Sequence, residues 1–592
     1  MMRRRTFGLA ALGAAAALAL GACSSSGSGS GSGTSSPTSS AGAVAFNAGI
    51  TSVVNQSTHK GGTLTYDWRS APDSFDPGNT YYAADWDFAR LYSEALMTYQ
   101  NCPGSCGKTL IPALATAPGV VSDNGLTWTF TLRSGVKFQD GTPVTSQDVK
   151  YAVERTFDRG VLANGPNYFQ VLLGGNAATY PGPFKDRSKN LMALTAITTP
   201  NPTTIVFNLK EPFADFNYVT AFPQTAPVPP AKDTGTNYQL KPLSTGPYMI
   251  SSYQLNKQYT LVPNPQWNPS WNPQVKQLAS KIIVNLNVNA VDIDNRLLAG
   301  DIQMDQAGSG VQAAARARIL SSNSLKANSD DPVNGFMWFY YINTKVPPLN
   351  NIHCRMAVEF AANKTNLQTA YGGPYGGNIA STAMPPTVKG YSKFDLYHAY
   401  SKPGGDIAAA KQQLSLCGHP SGFSTNIAYR SDRPREVASA TALQASLSAA
   451  GIKATLKGFT AATYYGNFAG VPNYVHSHGL GLLAGGWGPD WPNAYGWGWA
   501  LFDGGSIVPA GNTNIAELND PHVNSLFLSL EAATSPTMSD SISQQIDMAV
   551  MKDAVMLPAV YSKALLYRSP SLTNVYIQPY YGMYDYATLG MK

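Results

Sequence analysis

From Gly61 to Lys592 the chain alternates strand-like and helix-like stretches without an exact repeat, over a length that exceeds what one hydrophobic core organises. Such a chain divides into two or more lobes of mixed α/β structure. Leu126, Trp128, Phe130 and Leu132 alternate with Thr127, Thr129 and Thr131, which marks a half-buried strand. Ser134-Gly135 turns it, and Val136-Lys137-Phe138 is expected to return as the second strand of a hairpin ending at Asp140-Gly141. Thr145 and Asp148 stand at the spacing of a helix cap, with Asp in place of the usual Glu or Gln. Val149, Val153 and Phe157 follow at helical spacing. Further strands are predicted at 63–66, 204–209, 259–262, 282–288 and 336–342, and helices at 355–362, 408–416, 436–450 and 542–556.

The N-terminal segment sets the compartment. Arg3, Arg4 and Arg5 precede an apolar stretch from Phe7 to Leu20, and the small residues Gly21 and Ala22 let a peptidase reach the bond before Cys23. This pattern reads as an export signal whose cleavage leaves Cys23 as a lipidated first residue. The apolar run falls short of the roughly 20 residues needed to cross hydrocarbon. Arg4-Arg5-Thr6-Phe7 also permits twin-arginine export. Beyond Cys23 a Gly/Ser-rich tract has no apolar periodicity, so it is expected to be a disordered tether spanning on the order of 35 Å. A diacyl group suits such a tether, because two chains hold a protein on a bilayer far better than one.

Cysteine and charge counts follow the same reading. Of five cysteines, Cys23 takes lipid and four remain for two bridges in an oxidising compartment. Cys102 and Cys106 are close enough to staple a loop, which leaves Cys354 with Cys417. A zinc site at Cys102-x-x-x-Cys106 would need a matching Cys/His pair nearby, and the sequence offers none. Without the three signal arginines, 38 Lys and Arg face 35 Asp and Glu, and no basic stripe points to nucleic acid. No second long apolar run follows, so the body is not expected to enter a membrane.

Several ordered blocks carry a family resemblance. They are Leu126 to Gly141, Thr145 to Val149, Ser244-Thr245-Gly246-Pro247-Tyr248, Asn264-Pro265, and Ile342-Asn343-Thr344 leading to Pro347-Pro348, Arg355 and Ala357. Ala410-Lys411 to Leu414, Cys417-Gly418 and Gly451-Ile452-Lys453 complete the series. In this order and spacing the chain resembles the extracellular solute-binding proteins of family 5, the peptide, nickel and opine group that feeds ABC importers. The resemblance implies an α/β, two-lobed periplasmic-binding-protein-like fold of type II, cluster C-like, with a subdomain inserted in lobe I. On that pattern 1–23 is a lipoprotein signal peptide and 24–57 the tether. Lobe I comprises 58–97, 216–328 and 566–592, its inserted subdomain 98–215, and lobe II 329–565.

The implied function is a monomeric, non-catalytic receptor without cofactor or metal, lipid-anchored on the extracytoplasmic face of the cell membrane. It would capture an oligopeptide or similar small solute between its lobes and deliver it to the permease of an ABC transporter. An oligosaccharide is the alternative ligand within this fold, with Trp487, Trp491 and the tyrosines as stacking surfaces. A secreted hydrolase or surface-adhesion lipoprotein is the alternative of a different class.

The resemblance also points to a site. In dipeptide- and oligopeptide-binding members a W-x-x-D segment presents a ring and a carboxylate that pairs with the ligand's free α-amino group. The matching residues are Trp487 and Asp490, with Trp491 beside them, in Gly486-Trp487-Gly488-Pro489-Asp490-Trp491. Tyr81 and Tyr82 lie where the family's first lobe reaches the cleft. Plainer readings are that Asp490 caps a turn, that Trp487 fills the core, and that Tyr81 and Tyr82 are exposed loop residues. The peptide-binding pattern continues with a second acidic residue and a proline, whereas this chain reads Trp491-Pro492-Asn493-Ala494. Catalytic motifs are lacking: Gly107-Lys108-Thr109 ends like a phosphate loop, but Cys102 stands at its first glycine, and neither HExxH nor GxSxG occurs. His476 and His478 alternate on one face of a possible strand, yet two histidines alone make a poor metal site.

Overall fold

The computed structural model describes residues 45–186, 193–533 and 535–592, so the export signal, Cys23 and most of the Gly/Ser tract lie outside the described residues. The body opens with strand β1 (Thr63–Asp67) and helix α1 (Ala83–Ala89). Strands β2 (Val120–Ser122) and β3 (Thr127–Thr131), helices α2 (Ser146–Arg155) and α3 (Tyr168–Leu172), and strands β4 (Ile197–Asn201) and β5 (Thr204–Asn208) follow. Next come β6 (Tyr248–Gln254), β7 (Gln258–Pro263), β8 (Lys281–Asn285), β9 (Met304–Asp305) and helix α4 (Ala313–Ser321). The remainder holds β10 (Val333–Ile342), α5 (Lys364–Ala370), β11 (Gly377–Ile379), β12 (Ser424–Arg430), α6 (Pro434–Ala450), β13 (Lys453–Phe459), β14 (Leu482–Trp487), α7 (Ala494–Phe502) and β15 (Met556–Lys563).

Three sheets organise these elements. The first has the order β9-β1-β8-β7-β6, with β1 parallel to both neighbours and Leu64 and Tyr66 buried in its core. The second, β2-β3-β5-β4, is antiparallel throughout and falls between β1 and β6 in sequence. The third is mixed, in the order β11-β15-β10-β14-β12-β13. Along β10 the side chains alternate between two cores: Met337, Phe339 and Tyr341 enter one, Tyr340 and Ile342 the other. Burial on both faces is what a central strand covered by helices requires.

The α2 cap forms as its spacing predicts: the Asp148 carboxylate accepts from the Thr145 backbone N–H and hydroxyl, both at 2.8 Å. Helices stand at Ile352–Ala361, Ile407–Leu416 and Pro434–Ala450, within a few residues of expectation. The last predicted helix differs more. It runs Pro536–Lys552 and stops at Ala554, which has φ 51°, so that Met556 begins strand β15. The strand expected at 282–288 ends at Asn285, since Asn287 turns the chain at φ 57°.

Two expectations are corrected outright. Val136–Phe138 does not pair with β3, because both edges of β3 are taken by β2 and β5; Lys137 instead bridges Pro143. Residues 45–57, expected to belong to the tether, pack on the body: Ala48–Thr51 is helical, Gly49 N–H donates to Asp330 at 2.8 Å, and buried Val54 bridges Val575. Among the described residues no helix is long and apolar enough to cross a membrane. Cys102 is joined to Cys106 and Cys354 to Cys417, with Cα separations of 5.9 and 5.4 Å, in the usual range for disulfides.

Candidate functional site

Strand β14 delivers the Gly486–Trp491 segment to a junction of several chain segments. The turn after β14 is closed by the Asp490 N–H donating to the Gly496 carbonyl at 2.9 Å. Asn493 caps α7 through its side-chain oxygen, which accepts from Gly496 N–H at 3.0 Å. The Asp490 carboxylate is therefore not the cap. It accepts from the Tyr81 hydroxyl at 2.8 Å on one oxygen and from the Tyr168 hydroxyl on the other. The Tyr580 hydroxyl donates to the Asp490 main-chain carbonyl at 2.7 Å.

Asp490 is only 6% exposed, and among the described residues it forms no ion pair. Burial raises its pKa from 3.8 to about 6, against the opposing pull of the Tyr168 and Tyr81 hydrogen bonds. Two phenols thus solvate a carboxylate that, among the described residues, no cation pairs with. Each carboxylate oxygen keeps acceptor capacity for a further donor. An ammonium there would form a charge-assisted hydrogen bond inside a low-dielectric site.

The surrounding side chains sort differently from their sequence expectations. Tyr81 reaches Asp490, and its ring stacks on Trp86 at 5.5 Å. Asp73 steadies its loop, accepting from Tyr81 N–H at 2.9 Å and the Thr80 hydroxyl at 2.6 Å. Tyr82 is 64% exposed at the start of α1 and is not brought to Asp490. Trp487 is half-buried, and its indole N–H is buried without a partner among the described residues. Trp491 is wholly buried: its N–H donates to Asp215 at 2.8 Å, and its ring lies among Tyr168, Tyr218 and Tyr495 at 5.0–6.3 Å. In this conformation Trp491 therefore packs within the protein and offers no open stacking face.

Sequence reading missed Tyr168, Tyr580 and Asp215. Tyr168 opens a five-residue helix with no motif, and Tyr580 lies near the far end of the chain, stacked on Tyr99 at 3.8 Å. His476 and His478 fall on a helix and its end, Pro472–Ser477, not on a strand. His476 Nε2 lies 2.6 Å from Glu517, while the His478 ring stacks on Tyr474 at 3.8 Å. Among the described residues no group of three or more His, Cys, Asp or Glu side chains could hold a metal ion.

The model for bacterial extracellular solute-binding proteins, family 5 Middle, matches residues 109–507. The chain belongs to that family. A solved structure of clavulanic acid biosynthesis oligopeptide binding protein 2 is 38% identical, with a TM-score of 0.89, covering 93% of this chain and 99% of that one. The probable D,D-dipeptide-binding periplasmic protein DdpA of Escherichia coli K12 is 25% identical over 497 residues, 82% of this chain and 85% of its own. The periplasmic binding protein DppA from Helicobacter pylori, solved with the peptide STSA, shares the fold at a TM-score of 0.66 and 19% identity, covering 89% of this chain and 98% of that one. The two-lobed family 5 architecture thus holds for this chain.

Proposed function

We propose that this protein is the substrate-binding component of an ABC importer, a non-enzymatic receptor that captures an oligopeptide or peptide-like solute and hands it to a membrane permease. The observation that carries the reading is Asp490, a buried carboxylate held by two phenols with no cationic partner among the described residues. A buried charge left unpaired is costly, and a free α-amino group is the complement that removes the cost. Trp487, three residues earlier on the same segment, has a buried indole N–H without a partner among the described residues, suited to a ligand carbonyl. An oligosaccharide has no ammonium to offer Asp490, so the peptide reading is preferred. The peptide-binding names of the relatives support the same class.

On this reading the lobes comprise 58–97, 216–328 and 566–592 on one side and 329–565 on the other, with 98–215 as the inserted part. Residues 45–57 join the body. Cys23 carries the lipid that holds a monomeric receptor on the outer face of the membrane, with the tract after it as tether. Lobe closure follows from a ligand that binds the closed state better than the open one.

Mass spectrometry of solute released from the purified protein tests the reading. Peptides bearing a free N-terminus are expected from the wild type and absent from Asp490→Asn. Recovery of sugars, or turnover of a peptide or glycoside library, would contradict it.

A further inference from the structure

The two passages of chain between the proposed lobes run side by side. Ser329 pairs with Tyr567 and Asp330 with Leu566 in an antiparallel ribbon, and the Arg568 N–H donates to the Asn328 carbonyl at 2.8 Å. With lobe boundaries at 328/329 and 565/566, this ribbon is the hinge. Hinge closure turns the backbone dihedrals of a few such residues, so whatever holds them bears on the balance between open and closed.

Residues 45–57 hold them. The second half of this segment is fastened beside the ribbon. Val54 and Val575 exchange backbone hydrogen bonds at 2.8 and 3.0 Å, Asn55 Nδ2 donates to the Leu572 carbonyl at 3.0 Å, and Asn574 Nδ2 donates to the Ser57 carbonyl at 2.9 Å. The first half reaches the ribbon itself and takes three consecutive residues. Asn47 N–H donates to the Ser329 carbonyl at 2.9 Å, Gly49 N–H to Asp330 Oδ1 at 2.8 Å, and Asp331 N–H to Asn47 Oδ1 at 2.8 Å. On the other passage, Arg568 donates to the Ala45 carbonyl at 3.0 Å.

The fit is tight. Asp330 is wholly buried, and its Oδ2 accepts from Arg568 and from the Tyr584 hydroxyl, so the carboxylate is fixed in place. A Cβ on Gly49 would lie 2.8 Å from that oxygen. Phe46 packs on the cluster that holds Ile293, Leu297 and Leu565, with Lys326 Nζ 5.3 Å over its ring. All these contacts are made while Tyr81 and Tyr168 reach Asp490 across the proposed lobe division, so they belong to the closed arrangement. Turning residues 329–331 would break them. A contact made in one state only shifts the balance toward that state.

We infer that residues 45–49 are a clamp on the hinge: the segment that joins the tether to the body favours the closed arrangement and slows release of the solute. The clamp rests on the lobe division proposed above, and not on the chemistry of the solute. The root of the tether thereby sits at the hinge.

Two variants test it. In Gly49→Ala the new methyl meets the fixed Asp330 carboxylate, while alanine favours the helix at 48–51, so any loss comes from the contact with the ribbon. Asn47→Gly keeps the left-handed backbone of Asn47, at φ 67°, and removes the bond to Asp331. Small-angle X-ray scattering of the purified protein without solute is expected to give a larger radius of gyration for both variants than for the wild type. Equal radii overturn the clamp, also where the thermal midpoint falls, since that result marks a support of the fold alone. Stopped-flow release of tri-alanine is expected to quicken about tenfold in Gly49→Ala and about threefold in Asn47→Gly, in proportion to the bonds lost. Equal release rates overturn the role in holding solute. Failure of tri-alanine to bind the wild type, with the radii differing, counts against the peptide reading and leaves the clamp standing.

Discussion

Asp490→Asn should stabilise the empty protein while abolishing capture, and the size of that gain follows from the site. Burial raises the Asp490 pKa from 3.8 to about 6, a shift of about two units, which corresponds to about 3 kcal/mol of preference for the neutral form in the folded state. The associated stability is fully present below about pH 4 and is lost as pH rises through about 6, so the wild type carries the whole penalty at pH 7.5. Asparagine cannot ionise, and its oxygen still accepts a phenol. The variant is thus expected to exceed the wild type by about 3 kcal/mol at pH 7.5 and to match it at pH 4. For a unit spanning Gly42–Lys592 the unfolding entropy is about 1.2 kcal/mol/K, so the gain appears as a midpoint shift of about 2.5 °C. Scanning calorimetry of both proteins across pH 4–8, without ligand, makes the comparison. A variant less stable than wild type at pH 7.5, or a difference that does not change with pH, would refute the reasoning.

Other perturbations probe the supports of the site and the fold. Tyr168→Phe removes one phenol from Asp490, so the carboxyl pKa should rise further above 6 and peptide affinity at pH 7 should fall by about 1–2 kcal/mol, read by titration calorimetry at several pH values. Lys108, which follows the Cys102–Cys106 bridge, donates to the Thr387 carbonyl at 2.6 Å; Lys108→Met should speed release of bound solute about 5- to 30-fold in stopped-flow, in proportion to a lost bond of about 1–2 kcal/mol. Replacing Cys354 and Cys417 together by Ser frees a loop of 63 residues, and by chain entropy should lower stability by about 4 kcal/mol in denaturant titration without altering peptide affinity.

Local chemistry was legible where neighbours in sequence decide it. The Thr145/Asp148 cap, the alternation of β3 and the Cys102–Cys106 bridge rest on spacing, and each has its counterpart in the structure, while Cys354–Cys417 is the pair left over. Pairing partners were not legible in this way. Val136–Phe138 has the composition of a return strand, but whether β3 accepts it depends on β5, about 75 residues away, having taken that edge. The candidate site divides along the same line. A short segment with a ring and an acid points to Trp487 and Asp490, whereas Tyr168 and Tyr580 become its neighbours only through contacts 322 and 90 residues apart. Trp491 shows the converse: adjacent to Asp490 in sequence, it turns its indole to Asp215 and fills the interior.

Titration of the purified body with a free-amine tripeptide and its N-acetylated form, side by side in one calorimeter at pH 7.5, bears most directly on the amine-binding role of Asp490. Leaving a buried carboxylate unpaired costs about 3 kcal/mol or more, so acetylation is expected to weaken binding at least about 150-fold in the wild type and hardly at all in Asp490→Asn. Equal affinities for the two peptides in the wild type would contradict the account.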